Sequence, residues 1–414
     1  PDELIAGVEK IFGQGTSPHQ AVERILSTVS TQGDAALQHW SKILDKAELD
    51  DFRIPVDEFA AAHAQLPDSL SHALNTAAER IRNFHQRQPL PNWTTTEMGG
   101  IVGQRTTAVE RAGVYVPGGS APLPSSLLMS VIPAQVAGVK DIIICTPPHP
   151  HPTILAAAHI CGIEAVYQIG GAQAIAAMAF GTQSVPKVDK IVGAGNIFVT
   201  LAKQQVYGIV GLDGLAGPTE TMVIADDGAN PAWVAADLLA QAEHDTLASA
   251  ILLTPSPSLA EAVQAEIVTQ TKKLTRVKLI AQSLANRGGI VITPDLESAA
   301  ELANQYAAEH LCLCVSDPAA LAEKINNTGG FFLGDHSFEV LGDYVAGPSH
   351  IMPTGGTARF ASPLNVMDFV KISSIIALDP ETGQKLSPLA AEIARAESLT
   401  AHAAAAKCRI TNTE

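Results

Sequence analysis

The sequence predicts an α/β protein: two incomplete Rossmann-like parallel-sheet domains with small helical segments at the N- and C-terminal ends. Three observations carry this. Short apolar strands alternate with Ala-rich helical stretches from about residue 114 to 220, and a second alternating run follows from Met222 to Val315. Such alternation is the βαβ signature of a parallel sheet. The chain of 414 residues, at roughly 150 per domain, suits two or three domains.

The elements follow in order. The first ninety residues read as helices. Leu70, Leu74, Ala77, Ile81 and Phe84 are spaced 4, 3, 4, 3 and mark one apolar helical face, with Pro67 and Asp68 as the start signal and Pro89 and Pro91 beyond its end. Gly99 to Val116 reads as a hairpin, IVGQRTTAV and AGVYVPGG around a polar break. Asp141–Thr146, Ala165–Ile169 and Asp189–Val192 are the strands of the first unit, with helices over Ile154–Cys161 and Ala172–Phe180. Met222–Ala225, Ile251–Thr254, Gly289–Thr293 and Leu311–Val315 are the strands of the second, and the chain reads as helical after about residue 365.

Composition excludes several classes. Hydrophobic residues make up 46%, far above a disordered chain, and no stretch reaches the ~18–20 apolar residues of a membrane span. The net charge of −16 and the lack of a Lys/Arg run argue against nucleic acid. The start, PDELIAGVEK, is charged and is not expected to be a signal peptide. Five cysteines, mostly in apolar runs, suit reduced thiols and a cytoplasmic protein. Cys312 and Cys314 share one strand face and read as core.

There is no phosphate-loop motif, no H-E-x-x-H and no full G-x-G-x-x-G; Gly193-Ala-Gly195-Asn196 lacks the third glycine. Three glycine-rich segments nevertheless follow strands of the first unit: Val116–Pro122, Gly170-Gly171 and Gly193–Asn196. Ligands in open α/β sheets bind outside the carboxyl strand ends, where glycines let backbone N–H groups approach a phosphate. Three such loops leave a nucleotide site and plain tight turns both open.

Further along, Asn230-Pro231 opens a helix that ends in LLAQAEHD. Gln241 and His244 share a face at i,i+3, with Asp237 one turn earlier. On spacing alone, His244 with Asp237 or Glu243 is a better metal pair than Gln241, and a solvated polar face is the other reading. Glu309-His310 sits between a helix and a strand, placed for acid–base work or as an exposed loop pair. Asp343 and His350 lie in a Gly-rich loop, and Glu397 and His402 in the terminal helix. Together His244, Asp343 and His402 are a donor set suited to a zinc-like ion.

Taken in order, GVYVPGGSAPLPSS, IGGAQAIAAMAFGT, GAGNIFVTLAKQQV, AGPTETMVIAD, DLLAQAEHD, EHL, GDYVAGPSHIMPTGG and ESLTAH resemble the histidinol dehydrogenase family over nearly the whole chain. The resemblance implies zinc ligands Gln241, His244, Asp343 and His402, the last from the partner in a domain-swapped homodimer. It implies Glu309 and His310 as catalytic bases and Tyr115, Gln173 and Asn196 as NAD contacts. It implies Thr219, Gln241, His244, His310, Asp343, Glu397 and His402 as substrate contacts, with Ser125 and His350 near the pocket. The implied reaction oxidises L-histidinol through L-histidinal to L-histidine with two NAD. The implied division is an arm at 1–15, a zinc and substrate domain of 16–112 with 221–364, an NAD domain at 113–220 and a helical tail at 365–414.

Departures are small: Ala194 and Ala308 stand where the family often has proline, and Thr219 replaces a serine while keeping the hydroxyl. Two rival readings are a relative acting on a sulfonated diol and a non-catalytic NAD- or metal-binding protein. The first would want Arg or Lys near Glu397, and ESLTAH brings none. The second is opposed by the intact Glu309, His310 and four ligand positions.

Overall fold

A strand buried on both faces must be apolar at nearly every position, and Ile142-Ile143-Ile144 and Met222-Val223-Ile224 are. Both runs become interior strands of parallel sheets in the computed structural model, which describes residues 2–118 and 122–408.

Strands β1 (Trp93–Thr95) and β2 (Ile101–Ala108) come first and belong to a small unit described below. β3 (Arg111–Tyr115), β4 (Asp141–Thr146), β5 (Val166–Gln168), β6 (Lys190–Val192) and β7 (Gly211–Leu212) form the first sheet, parallel throughout, in the order β5-β4-β3-β6-β7. β8 (Glu220–Ala225), β9 (Ser249–Thr254), β10 (Gly288–Ile292), β11 (His310–Cys314) and β12 (Gly330–Leu333) form the second, also parallel, in the order β10-β9-β8-β11-β12. Each sheet reverses direction of growth beside its first strand, the arrangement that opens a ligand crevice in Rossmann-like folds. β13 (Val370–Ala377) pairs antiparallel with β2.

Helices α1 (Asp2–Phe12), α2 (Pro18–Gln32), α3 (Asp34–Trp40), α4 (Val56–Ala64) and α5 (Asp68–His85) precede the sheets. α6 (Pro124–Ala137), α7 (Pro152–Ile160), α8 (Gly171–Phe180) and α9 (Ile197–Val206) link the first sheet's strands. α10 (Pro231–Ala242), α11 (Pro257–Thr271), α12 (Val277–Arg287), α13 (Leu296–Tyr306) and α14 (Pro318–Ala322) link those of the second, and α15 (Glu339–Tyr344) follows it. α16 (Pro380–Ala396) and α17 (Thr400–Lys407) come last.

The apolar face expected at residues 70–84 lies in α5, where Leu74, Ala77 and Ile81 are buried while Phe84 is exposed. Three expectations need correction. Residues 99–116 are not a hairpin: β2 pairs with β1 and β13, whereas β3 runs parallel between β4 and β6. The polar break at Val109-Glu110 is a crossing from one compact unit to another. The region after residue 365 is not all helix, because the β-branched run VKISSIIA forms β13. The early helices, grouped in the sequence reading with residues 221–364, instead cover the first sheet. Val22, Ile25 and Val29 of α2 and Leu37 and Trp40 of α3 share a core with Ile143, Ile175 and Val199. The cause lies in α8, whose side chains from Ala172 to Ala179 are buried all round, so its outer side needs a cover.

The chain divides into two compact units: residues up to Arg87 with Val109–Phe369, and Gln88–Ala108 with the residues from Val370 onward. The larger holds both parallel sheets. In the smaller, β1, β2 and β13 form an antiparallel sheet, and α16 packs on α17 through Ala391, Ala394 and Ala403. Leu389 and Ile393 of α16, one turn apart, are 61% and 62% exposed, and Leu386 extends the same stripe. Among the described residues no helix is long and apolar enough to cross a membrane.

Candidate active site

The carboxyl edge of the first sheet is built by close backbone approach. Gly193 follows β6 with φ +108, and a Cβ there would stand 2.2 Å from the Tyr115 carbonyl oxygen. Its N–H donates to Asp213 Oδ2 at 2.7 Å, and Lys203 Nζ donates to the Gly193 carbonyl at 2.9 Å and to Asp213 Oδ1 at 2.5 Å. The Gly171 N–H donates to the Tyr115 hydroxyl at 3.0 Å. Burial pushes that phenol up to about 12, so it serves as a neutral hydrogen-bonding group.

Tyr115, Gln173 and Asn196 line one cavity of about 480 Å³. Asn196 Oδ1 caps α9 by accepting from the N–H groups of Phe198 and Val199. Gln173 is fully buried; its Nε2 donates to Asp45 Oδ2 at 2.9 Å, and its Oε1 has no partner. Burial raises the Asp45 pKa, against the Gln173 hydrogen bond. Of the expected glycine-rich segment Val116–Pro122, residues 119–121 lie outside the described residues.

A second cavity, about 180 Å³, gathers Thr219, Gln241, His244, Glu309, His310 and Asp343. Ser125 and His350 line it as well, and Tyr115 is a wall of both cavities. Here the second sheet contributes its amino edge: Thr219 precedes β8, Glu309 precedes β11, and His310 begins it. Gln241 and His244 sit at the end of α10, and Asp343 in α15.

Glu309 and His310 are buried, not an exposed loop pair. Glu309 Oε2 accepts from the Thr219 hydroxyl at 2.6 Å and the Glu220 N–H at 3.1 Å. Burial nevertheless pushes its pKa up to about 7. His310 Nδ1 donates to the Glu220 carbonyl at 3.2 Å, leaving Nε2 3.6 Å from Asp343 Oδ1 with no hydrogen-bond partner. Burial alone would lower the His310 pKa, but Glu339, Glu309 and Asp343 outweigh it and push it up to about 10. Burial would raise Asp343, and His310 overrides it and holds the carboxyl below its ordinary value. His244 is solvent-accessible at the cavity, and the protein around it still removes enough water to lower its pKa. His350 Nδ1 donates to the Asp343 carbonyl at 2.7 Å, so its Nε2 accepts from the Ser126 hydroxyl at 3.1 Å.

The donor set bears on a metal. Gln241 is 0% exposed, and neither of its amide atoms has a partner, an arrangement a buried amide avoids unless something else binds there. Among the described residues no three His, Cys, Asp or Glu side chains converge to hold a metal by themselves. Among the cavity's acidic and imidazole side chains, His244 and Asp343 with the Gln241 amide give an oxygen and nitrogen set that fits a divalent ion short of one ligand. Asp237, the better ligand on spacing, lines a different cavity, with Cys312, Cys314 and the loop after β12. Glu397 and His402 belong to the smaller unit.

The comparisons with known proteins agree along the whole chain. The sequence profile described as histidinol dehydrogenase matches residues 12–410. The chain belongs to that family. Histidinol dehydrogenase of Deinococcus radiodurans is 48% identical over 416 residues, 99% of this chain and 95% of the relative. That of Thermus thermophilus is 50% identical, covering 93% of this chain and 92% of the relative. The crystal structure of histidinol dehydrogenase from Elizabethkingia anophelis matches with a TM-score of 0.92 at 38% identity, covering 96% of this chain and 93% of that one. As a histidinol dehydrogenase family member the chain is an oxidoreductase with this two-sheet α/β fold.

Two polar residues of the cavities escaped the sequence reading. Glu339 is buried, accepts from the Thr221 hydroxyl and lies 4.0 Å from His310 Nδ1; burial raises its pKa. Its spacing of four from Asp343 was the available signal. Asp45 meets Gln173 across 128 residues, and no local pattern marks such a pair.

Proposed function

We propose that the chain is a zinc- and NAD-dependent dehydrogenase that oxidises L-histidinol through L-histidinal to L-histidine, completing histidine biosynthesis. The observation that carries this reading is the buried, unpartnered Gln241 amide beside His244, Asp343 and the Glu309–His310 pair. Membership of the histidinol dehydrogenase family supplies the substrate. None of the described residues lining the smaller cavity is Lys or Arg, so a sulfonate would find no counter-charge there.

In this reading NAD occupies the larger cavity through Tyr115, Gln173 and Asn196, and substrate occupies the smaller one across Tyr115. Gln241, His244 and Asp343 hold zinc, with His402 from a second copy as the fourth ligand. Bound there, zinc supplies a positive template that fixes the substrate's nitrogen donors and so its reacting carbon. Glu397 of the same tail, with Thr219, adds substrate contacts. His310 Nε2 faces the cavity and receives the hydroxyl proton as hydride passes to NAD. Engaging Asp343 in cation binding removes part of the hold on that proton and brings the ring toward neutrality. Glu309, poised near pH 7, takes a proton from the water that hydrates the aldehyde, and the hydrate would pass the second hydride to a second NAD. The exposed stripe of Leu386, Leu389 and Ile393 supports a homodimer in which the tail packs on a partner.

The test is NADH formation by purified protein with L-histidinol. Two NADH per histidinol are expected, lost on chelation and restored by zinc. Turnover of a sulfonated diol without turnover of histidinol overturns the reading.

A further inference from the structure

The carboxyl edge of the second sheet carries a further cavity, about 340 Å³, between α10 and the loop after β12. Open α/β sheets bind ligands outside this edge, yet every second-sheet strand that serves the candidate active site does so from its amino edge. The carboxyl edge is therefore left to another use.

Asp237 lines this cavity, is only 8% exposed, and has no hydrogen-bond or ion-pair partner among the described residues. A buried carboxylate in that condition is unfavourable unless a cation meets it. Asp335, on the loop after β12, adds a second negative charge to the same lining. Burial and then Asp335 raise the Asp237 pKa to about 6, the signature of a charge without a counter-charge.

The chemistry of the walls selects among cations. The described residues of the lining set aromatic faces beside two carboxylates, which favours an organic cation over a bare metal ion. Trp233 and Phe338 present exposed apolar surface to the cavity, and the Trp233 ring lies 6.0 Å from that of His336. Cys312 and Cys314 form part of the inner wall, and burial keeps both thiols neutral. Paired carboxylates beside aromatic faces and neutral sulfur suit an ammonium group on a flat apolar body.

We propose that this cavity binds an organic ammonium ion with an aromatic body, its charge on Asp237 and Asp335 and its ring against Trp233 and Phe338.

The test titrates 2-phenylethylammonium chloride into the full chain supplied with zinc and NAD, followed by calorimetry and tryptophan fluorescence. Saturable binding is expected, with a fluorescence change that Trp233→Phe abolishes while the heat remains. Asp237→Asn should weaken binding by roughly tenfold or more, and Asp335→Asn, at an exposed position outside the core, should weaken it as well. Neutral 2-phenylethanol should bind at least roughly tenfold less tightly. His244→Ala, in the other cavity, should leave this binding in place. Equal binding of the alcohol, wild-type affinity in both aspartate variants, loss of binding in His244→Ala, or no saturable binding each overturns the proposal.

Discussion

The Thr219 hydroxyl donates to Glu309 Oε2 at 2.6 Å, joining residues that lead into two adjacent strands of one sheet edge. Burial lifts the Glu309 pKa to about 7, and the His310 charge, this hydroxyl and the Glu220 N–H oppose it. Removing the hydroxyl leaves burial less opposed, so the pKa rises. Thr219→Ala is expected to move the rising limb of the pH–rate profile for histidinal oxidation upward by roughly one unit. Thr219→Ser should restore it. An unmoved limb in the alanine variant would show that the hydroxyl does not tune this base.

Gly193→Ala places a Cβ 2.2 Å from the Tyr115 carbonyl at a φ of +108. Backbone must shift, and Tyr115 walls both cavities. A loss of about 2 kcal/mol or more in denaturant unfolding is expected, with weaker NAD binding in a titration. Wild-type values for both would contradict the close approach.

Gln241→Leu separates stability from metal binding. The wild-type protein without metal buries an amide with no partners, and leucine removes that burden at similar volume. The metal-free variant should melt at or above the metal-free wild type, while the stabilisation conferred by added zinc shrinks. Undiminished zinc stoichiometry in the variant would remove Gln241 from the ligand set.

Lys203 and Asp213 form an ion pair whose side chains are 3% and 6% exposed. Lys203→Met strands the aspartate charge and should destabilise by about 3–5 kcal/mol. Lys203→Met with Asp213→Asn should recover much of that loss. Equal losses in the single and double variants would mean the pair carries no coupling.

Subunit sharing has its own test. His402→Ala and His244→Ala protomers are each expected to be inactive. Mixed and refolded together, they should regain activity, because one site of each heterodimer then has every ligand. No recovery despite heterodimer formation would refute the shared site.

Much of this was legible in the sequence, for reasons that differ by residue. Of the glycines that mark strand ends, Gly193 answers to a close backbone approach and Gly171 to a positive φ of +59, and the three residues expected at NAD line one cavity. Glu309 and His310 were visible as a pair, but their burial was not, since it depends on strands 90 residues away. Gln241 was under-ranked because an amide becomes a credible ligand only when its hydrogen-bond partners are missing, a tertiary fact. β13 was lost among Ala-rich neighbours although its β-branched residues were in plain view.

The use of opposite sheet edges has an electrostatic consequence. On the first-sheet side α8 begins beside Gln173 and α9 begins behind Asn196, so the positive ends of two helix dipoles lie at the larger cavity. On the second-sheet side α10 ends at Gln241-Ala242, so the negative end of its dipole lies at the smaller one. The two cavities therefore sit at opposite poles of a built-in field. The positive pole suits the pyrophosphate of a dinucleotide, and the negative pole suits a divalent ion and a protonated amine. A single sheet, used from one edge, offers only one of these signs.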